Sequence, residues 1–488
     1  MYNVTPPSID WAMIAPVTLV FVTGLVGLLI EMFRPKQNNN TIVAASLTGL
    51  AIAFASLVGQ LNSPDGETLA GMILRDRFGI LLQMALVGVC FVSILFSESY
   101  LREKRIPFGE FYPLVVWSTA GGMIMVASNS LLMIFIGLEV LSIALYVLAG
   151  LSRQEQKSEE SALKYFLLGA FASAFFLYGI AFWYGATGSV SLDSIAAAWS
   201  LNDVMTRNLL LFGAGLMLVG LCFKAALAPF HQWTPDVYQG APTNVTGFMA
   251  AGSKIAAIGV LFRVLTASTD LSQVWLPALF WIAILTMTVG NFAAAVQKDV
   301  KRILGYSSIS NAGYILAALV ALIKMPEKIG TSTIIFYLFS YAFMTLGVFA
   351  VISLTAKDGK EGTRLSDLDG LWKRSPLAAG ALVVFVASLI GIPFTGGFFA
   401  KYFVFSDLLT AELLPLAIVL AVNSIVSVYY YLAIGYHAVV AEEGTVRNET
   451  SPMSIGVQVA CVACVIGVLA LGLFYQPMMN LITGTVVR

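Results

Sequence analysis

Five ionisable side chains stand inside runs apolar enough to lie in lipid. Glu139 sits in LLMIFIGLEVLSIALYVL, Lys164 in SALKYFLLGAFASAFF and Lys224 directly after LLLFGAGLMLVGLCF. Lys254 sits in NVTGFMAAGSKIAAIGVLF and Lys401 in GIPFTGGFFAKYFVF. A charge at the centre of a bilayer costs at least ~2.5–3.5 kcal/mol on insertion scales, so it normally faces a bundle interior or a wet cavity. Removal from water weakens an ammonium's hold on its proton, and a carboxylate nearby strengthens it. One glutamate and several lysines strung through a bundle therefore make a proton relay. Blander roles stay open at this stage. Lys164 is near one end of its run, where it can snorkel to the interface, and Glu139 can form an inert pair with one lysine. Lys254 and Lys401 have no acidic residue in their own spans and no short route to an interface.

The stretch GLCFKAALAPFHQWTPDVYQGAP, residues 220–242, joins Lys224 to a helix-breaking, polar tail with Pro229, His231, Trp233, Pro235, Asp236 and Pro242. Proline removes an intrahelical hydrogen bond, and freed backbone groups at membrane depth are tolerated only inside protein or along water. Lysine beside a broken helix marks an ion path. The imidazole of His231 titrates near neutral pH, which suits a proton shuttle; a hydrogen bond beside Trp233 is the other role open to it. A second interrupted span carries Pro393, Gly396 and Gly397 ahead of Lys401. His437 follows YYYLAIGY, whose Tyr429, Tyr430, Tyr431 and Tyr436 read as interface aromatics, so His437 is also placed at the interface. Asp236 and Asp299 fall in connections and read as structural.

These residues need helices to position them. Of 488 residues, 58% are hydrophobic and 11% charged, where a soluble domain is nearer a quarter charged. The chain reads as an all-α polytopic membrane protein. A window of about 20 apolar residues gives fourteen spans, near 11–33, 41–60, 77–97, 111–128, 131–150, 162–185, 208–230, 244–266, 273–296, 303–323, 330–355, 376–405, 414–440 and 453–475. The fourth and fifth are separated only by Ser128, Asn129 and Ser130, and the twelfth is interrupted. Basic residues outside the spans divide 16 to 6 in favour of the odd-numbered connections, among them 34–40, 98–110, 151–161, 297–302, 356–375 and 441–452. Basic loops stay cytoplasmic, which puts both termini outside. The segment SLDSIAAAW at 191–199 reads as a short interfacial helix. Two broken, lysine-bearing spans five apart match the pattern of inverted-repeat transporters. The expected division is an N-terminal three-helix segment (1–110), a first repeat (111–266), a second repeat (267–440) and a C-terminal helix (441–488).

Several function classes are set aside. With 27 basic and 27 acidic residues, the chain has no footprint for nucleic acid. Its first basic residue is Arg34, after the first apolar run, which argues against a cleaved signal peptide. Cys90, Cys222, Cys461 and Cys464 all lie in apolar segments and read as small packing residues, with no metal, haem or iron–sulfur centre expected. Gly213, Gly215 and Gly220 lack dinucleotide-fingerprint spacing, and neither a Walker A sequence nor a nucleophile elbow occurs.

The sequence resembles a known family. Phe223-Lys224, Pro229-Phe230-His231, Trp233, Pro235-Asp236, Tyr238 and Gly240-Ala241-Pro242 are similar to the signature of the antiporter-like proton-pumping subunits of respiratory complex I. KRILGYSSISNAGY at 301–314 and GIPFTGGFFAKYFVF at 391–405 resemble two further signatures, and the likeness extends over roughly 111–440. Within the family the chain is most similar to the N-type subunits of bacterial NADH:quinone oxidoreductase. SALKYFLLGAFASAFFLYG and YYYL favour that branch, and the long lateral-helix extension of the L-type is lacking. The resemblance implies fourteen spans in an inner-membrane subunit without a redox centre. NADH, flavin, iron–sulfur clusters and quinone would be handled by other subunits of the complex, and neighbouring antiporter-like and small helical subunits would be partners. It also implies a relay of Glu139, a paired Lys224, Lys164, Lys254 and Lys401; the topology then suggests uptake from the cytoplasm and release through Lys401. Unit charges 4 Å apart interact by ~4 kcal/mol at an effective dielectric of about 20, enough to pass energy along such a line. A subunit of an Mrp-type cation/proton antiporter or a standalone secondary transporter would use the same lysines, and a scaffold that has lost pumping is the third alternative.

Overall fold

The computed structural model describes residues 8–33, 39–200, 203–268, 271–440 and 451–483. Arg34, Lys36 and Arg447, which contribute to the charge bias, and both chain ends lie outside the described residues. Long apolar runs wind into helices because lipid offers their backbone no other hydrogen-bond partners. In chain order these are α1 (Trp11–Phe33), α2 (Asn40–Gln60), α3 (Arg77–Glu103), α4 (Phe111–Ala127), α5 (Leu131–Ala149) and α6 (Gln156–Thr187). A short α7 (Ser194–Ser200) occupies the expected interfacial segment, ahead of α8 (Val204–Ala225) and α9 (Trp233–Gly240). Then come α10 (Thr243–Phe248), α11 (Lys254–Ala267), α12 (Ser272–Ala295), α13 (Val300–Lys324), α14 (Ser332–Ile352) and a one-turn α15 (Leu371–Arg374). The series closes with α16 (Pro376–Ile390), α17 (Gly396–Thr410), α18 (Leu414–Val439), α19 (Ile455–Leu473) and α20 (Tyr475–Ile482).

Among the described residues, twelve helices are long and apolar enough to cross a membrane, and α4 and α16 are shorter apolar helices. Together they account for the fourteen expected spans. The seventh ends early, with α8 at Ala225, and α9 follows beyond the expected span; the twelfth is split into α16 and α17. The eighth departs from expectation: α10 and α11 are joined by a π-helical turn, Met249–Ser253, immediately before Lys254. Two antiparallel hairpins add a little strand, β1 (Gly66–Thr68) with β2 (Ile73–Arg75), and β3 (Ala356–Lys357) with β4 (Lys360–Glu361).

The connections sort onto two faces. On one, the ends of α3 and α5, the starts of α10 and α13, and β4 meet through Lys104, Glu155, Thr243, Lys301 and Glu361; these are odd-numbered connections. On the other, Ile73 bridges to Ser128 and Ser130 to Ser191, which explains how three residues suffice to separate α4 from α5. Here Arg263, 2% exposed, pairs with Asp76 at 2.7 Å and donates to the Val126 carbonyl at 2.6 Å. Asp76 also caps α3 by accepting from the Gly79 amide.

Small residues let helices touch backbone to backbone, the packing mode favoured where lipid removes the hydrophobic drive. A Cβ on Gly121 of α4 would lie 2.5 Å from the Leu141 nitrogen of α5, and one on Gly290 of α12 would lie 2.6 Å from the Ser310 nitrogen of α13. These two helix pairs occupy equivalent places in the two expected five-helix sets. Each set also packs its first helix on its fifth, α4 on α11 and α12 on α18.

Removing one partner of a buried ion pair costs about 3–5 kcal/mol because the other charge is left uncompensated. Asp76→Ala or Arg263→Ala is therefore expected to destabilise the subunit by that order. The check is loss of assembled subunit on native gels, or a lowered melting temperature of the purified protein.

Candidate functional site

The break after α8 is made where Ala226 takes a left-handed backbone, φ 60°, and closes the helix with its amide on Cys222 and Phe223 carbonyls. Lys224 lies in that last turn, 4% exposed. Its Nζ donates to the Ser142 Oγ at 2.7 Å and to the Tyr165 hydroxyl at 3.2 Å, with the Tyr165 ring centroid 5.4 Å away. Glu139 lies on α5 one turn before Ser142, and its Oε1 is buried with no hydrogen-bond partner. No direct Glu139–Lys224 ion pair forms; the Ser142 hydroxyl, itself donating to the Leu138 carbonyl, takes the ammonium instead.

The π turn sets the next position. It accommodates one more residue in its turn than α-helix does, a distortion that recurs at functional sites, and Lys254 follows directly upon it. Lys254 is 3% exposed, donates to the Ser308 carbonyl of α13 and has the Tyr341 ring of α14 at 5.2 Å. From the Lys224 side, Tyr165 stacks on Trp233 at 4.6 Å, and the Tyr238 hydroxyl reaches the Ser308 Oγ at 3.4 Å. Beyond Lys254, the hydroxyls of Ser307 and Tyr431 bond to each other. The Asn311 Nδ2 donates to the Ser307 carbonyl at 2.8 Å and to the Tyr431 hydroxyl at 3.3 Å, and the Tyr337 hydroxyl donates to Asn311 Oδ1 at 2.7 Å. One turn on, Tyr314 accepts from Asn291 at 3.0 Å.

The line ends at the second break. The C-terminus of α16 leaves carbonyls without amide partners. Lys401, on α17, donates to two of them, Leu389 at 2.9 Å and Ile390 at 3.0 Å, with the Tyr314 ring at 5.4 Å. The structure thus brings Glu139, Lys224, Lys254 and Lys401 onto one polar line, buried at Lys224 and Lys254 and half-buried at Glu139 and Lys401. The profile of a protein family described as NADH:quinone oxidoreductase/Mrp antiporter, transmembrane, matches residues 128–427, which contain every member of that line except Tyr431.

The chain belongs to this family.

Relatives agree over the whole length. It is 40% identical over 464 residues to NADH-quinone oxidoreductase subunit N of Trichlorobacter lovleyi, covering 94% of each chain. It is 37% identical to subunit N of Chloroflexus aggregans, covering 100% of this chain and 99% of the relative. A chain of respiratory complex I from Thermus thermophilus superposes with TM-score 0.81 at 35% identity, covering 95% of this chain and 98% of that one. A chain of the Mrp complex from Dietzia superposes with TM-score 0.82 at 23% identity, a likeness of fold.

Within this NADH:quinone oxidoreductase/Mrp antiporter fold, two of the sequence candidates stand off the line. Lys164 is 42% exposed and bonded to Glu160 at 2.7 Å and Asp236 at 2.9 Å. The cause is helical phase. Successive residues of α6 are about 100° apart, so with Tyr165 facing inward Lys164 faces the rim. Asp236 also holds Arg302 at 2.6 Å, and Asp299 caps α13, which fits their structural reading. His231 lies half-buried in the break between α8 and α9; its Nδ1 has no partner, and among the described residues no hydrogen bond links it to a lysine of the line.

Sequence reasoning missed the neutral members: Ser142, Tyr165, Tyr238, Ser307, Ser308, Asn311, Tyr314, Tyr337 and Tyr341. Their signal was a polar face, since Ser307 and Asn311, like Tyr337 and Tyr341, recur four apart in apolar helices. Tyr430 and Tyr431 were expected at the interface but are buried at 2% and 1%; Tyr430 donates to Asn291 Oδ1 at 2.9 Å. Only the flanking Tyr429 and Tyr436 are exposed, because on α18 a tyrosine run of three must cover more than one face. His437 is half-buried at the odd-connection face and bonds Asp369 at 2.6 Å. All four cysteines are buried, and among the described residues no group of three His, Cys, Asp or Glu side chains converges to hold a metal.

If Ser142 carries the coupling between Glu139 and Lys224, Ser142→Ala should slow proton translocation several-fold in an assembled complex. Quenching of a pH-sensitive dye in inverted membrane vesicles measures it; an unchanged rate would remove Ser142 from the path.

Proposed function

We propose that the chain is the N-type subunit of a bacterial NADH:quinone oxidoreductase and moves protons along this polar line, driven by quinone reduction in other subunits. One observation carries the reading. Among the described residues, Lys224, Lys254 and Lys401 have no carboxylate within ion-pair distance, whereas the buried Lys104 and Lys301 and the rim Lys164 all do. A buried charge without a counter-ion does not stabilise a fold. Lysines kept in that state inside membrane spans are placed for proton exchange. The full-length likeness to relatives called subunit N selects the respiratory complex over the Mrp type, whose solved example is similar at 23% identity only.

The subunit holds no redox group in this reading; NADH, flavin, iron–sulfur clusters and quinone belong to partner subunits of the complex in the inner membrane. Basic residues on the face shared by the odd connections put that face in the cytoplasm and the termini outside. Protons load Lys224 and Lys254 from the cytoplasmic side and leave through Lys401. Residues 111–266 and 267–440 act as two inverted repeats, supported by the equivalent glycine contacts of α4 with α5 and α12 with α13.

The test is NADH-driven proton pumping and quinone reduction in membranes carrying Lys254→Ala or Lys401→Ala, with assembly checked on native gels. Both activities should fall together by an order of magnitude or more if proton movement and electron transfer are tightly coupled. Unchanged rates of both activities in an assembled complex would make the lysines structural and overturn the relay.

A further inference from the structure

Glu361 sits where the odd connections converge, and no part of the relay uses it. The β3–β4 hairpin turns through Asp358 and Gly359, with φ of 51° and 82°. Its tip is stitched to the end of α3: the Gly359 amide donates to the Glu103 carbonyl at 2.8 Å and Arg105 pairs with Asp358 at 3.2 Å. The following chain is tied to the start of α13, with Val300 donating to the Thr363 carbonyl at 2.6 Å and Thr363 Oγ1 donating to Asp299 at 2.5 Å. Held at both ends, the hairpin points Glu361 inward, its side chain 6% exposed.

The carboxylate meets charged or polar groups from three helices. Lys104, after α3, lies at 3.7 Å and Lys301 of α13 at 3.7 Å, their side chains 1% and 2% exposed. The Tyr100 hydroxyl of α3 donates at 2.8 Å, and the Thr243 hydroxyl at the start of α10 donates to the other oxygen. The more exposed Glu155 also bonds Lys104, at 2.5 Å. Two of these groups grip the same joint. The Thr243 amide donates to the Tyr100 hydroxyl at 3.0 Å, and Lys301 donates to the Ala241 carbonyl at 2.6 Å. Burial alone would raise the Glu361 pKa, but the Lys301 and Lys104 ammonium groups, with the Thr243 and Tyr100 donors, hold it below the ordinary carboxylate value of 4.5. A depressed carboxylate keeps its contribution above its ordinary pKa and loses it only as the pH falls through the lower, folded value. The Glu361 carboxylate is therefore charged at every physiological pH.

We propose that Glu361 is a positioning residue for proton transfer: it clamps the α9–α10 joint so that the π turn delivers Lys254 to Ser308 and Tyr341. The joint is the fixed end of the helix that carries Lys254. A π turn can relax to α-helix by shifting the register of one residue, which turns everything beyond it. Fixing Thr243 at its amide and its hydroxyl, and Ala241 at its carbonyl, prevents the first turn from rotating to allow that shift. Neutralising Glu361 leaves two buried ammonium groups with one exposed carboxylate between them, and the clamp opens.

This inference rests on Lys254 acting in the relay as proposed above. The experiment measures NADH-driven pumping from pH 6 to pH 9 in membranes carrying the whole complex with Glu361→Gln, Glu361→Asp, Thr243→Val or, as reference, Lys254→Ala. In assembled complexes, Glu361→Gln should lower pumping several-fold and shift the pH profile, Glu361→Asp should recover most of the rate, and Thr243→Val should show a smaller loss in the same direction. Normal pumping in Glu361→Gln while Lys254→Ala is inactive overturns the clamp alone. If Glu361→Gln fails to assemble, an unchanged rate and pH profile in Thr243→Val overturns it equally. Normal pumping in Lys254→Ala overturns the relay first and the clamp with it.

Discussion

A helix interrupted inside a membrane must find partners within the protein for every backbone group it frees, and this demand organises the molecule. Ile390 ends α16 with bare carbonyls, and the ammonium of Lys401 fills that deficit. Phe223 at the end of α8 gives its carbonyl to the Trp233 indole at 2.9 Å, which places Trp233 against Tyr165 and so frames Lys224. Break and cation thus account for each other.

Much of this was legible in the residues. Proline and glycine beside lysine located both breaks, and hydropathy located all fourteen spans, because each reflects a local rule that tertiary context cannot override in lipid. Phase was harder. Lys164 and Tyr165 are adjacent, and only packing decides which of them points inward. The neutral links were illegible for a related reason. Tyr431 and Tyr429 look alike to any hydropathy measure, yet one is buried against Ser307 and the other faces outward. The π turn before Lys254 left no mark either, since Met249–Ser253 contains ordinary helix formers and small residues. Lys104, Lys301 and Glu361 read as scattered loop charges; their union depends on a hairpin that brings distant connections together.

The two kinds of buried lysine divide the molecule by task. Near the odd-connection face, lysines meet carboxylates, and the resulting clusters hold loops and helix ends in fixed relation. At depth, lysines meet hydroxyls, carbonyls and tyrosine rings. Close backbone contacts at Gly121 and Gly290 bring the paired helices together between these layers.

The tyrosine rings 5.2–5.4 Å from Lys224, Lys254 and Lys401 have a consequence of their own. A ring's quadrupole steadies an ammonium without offering it a base. In the relay proposed above, Lys254 and Lys401 have no salt bridge to break, among the described residues, when they give up a proton. The charged and neutral forms occupy nearly the same cradle. Little structural reorganisation then opposes the transfer, and the balance between the forms answers to the electrostatic potential along the line, more than to the breaking of any single contact.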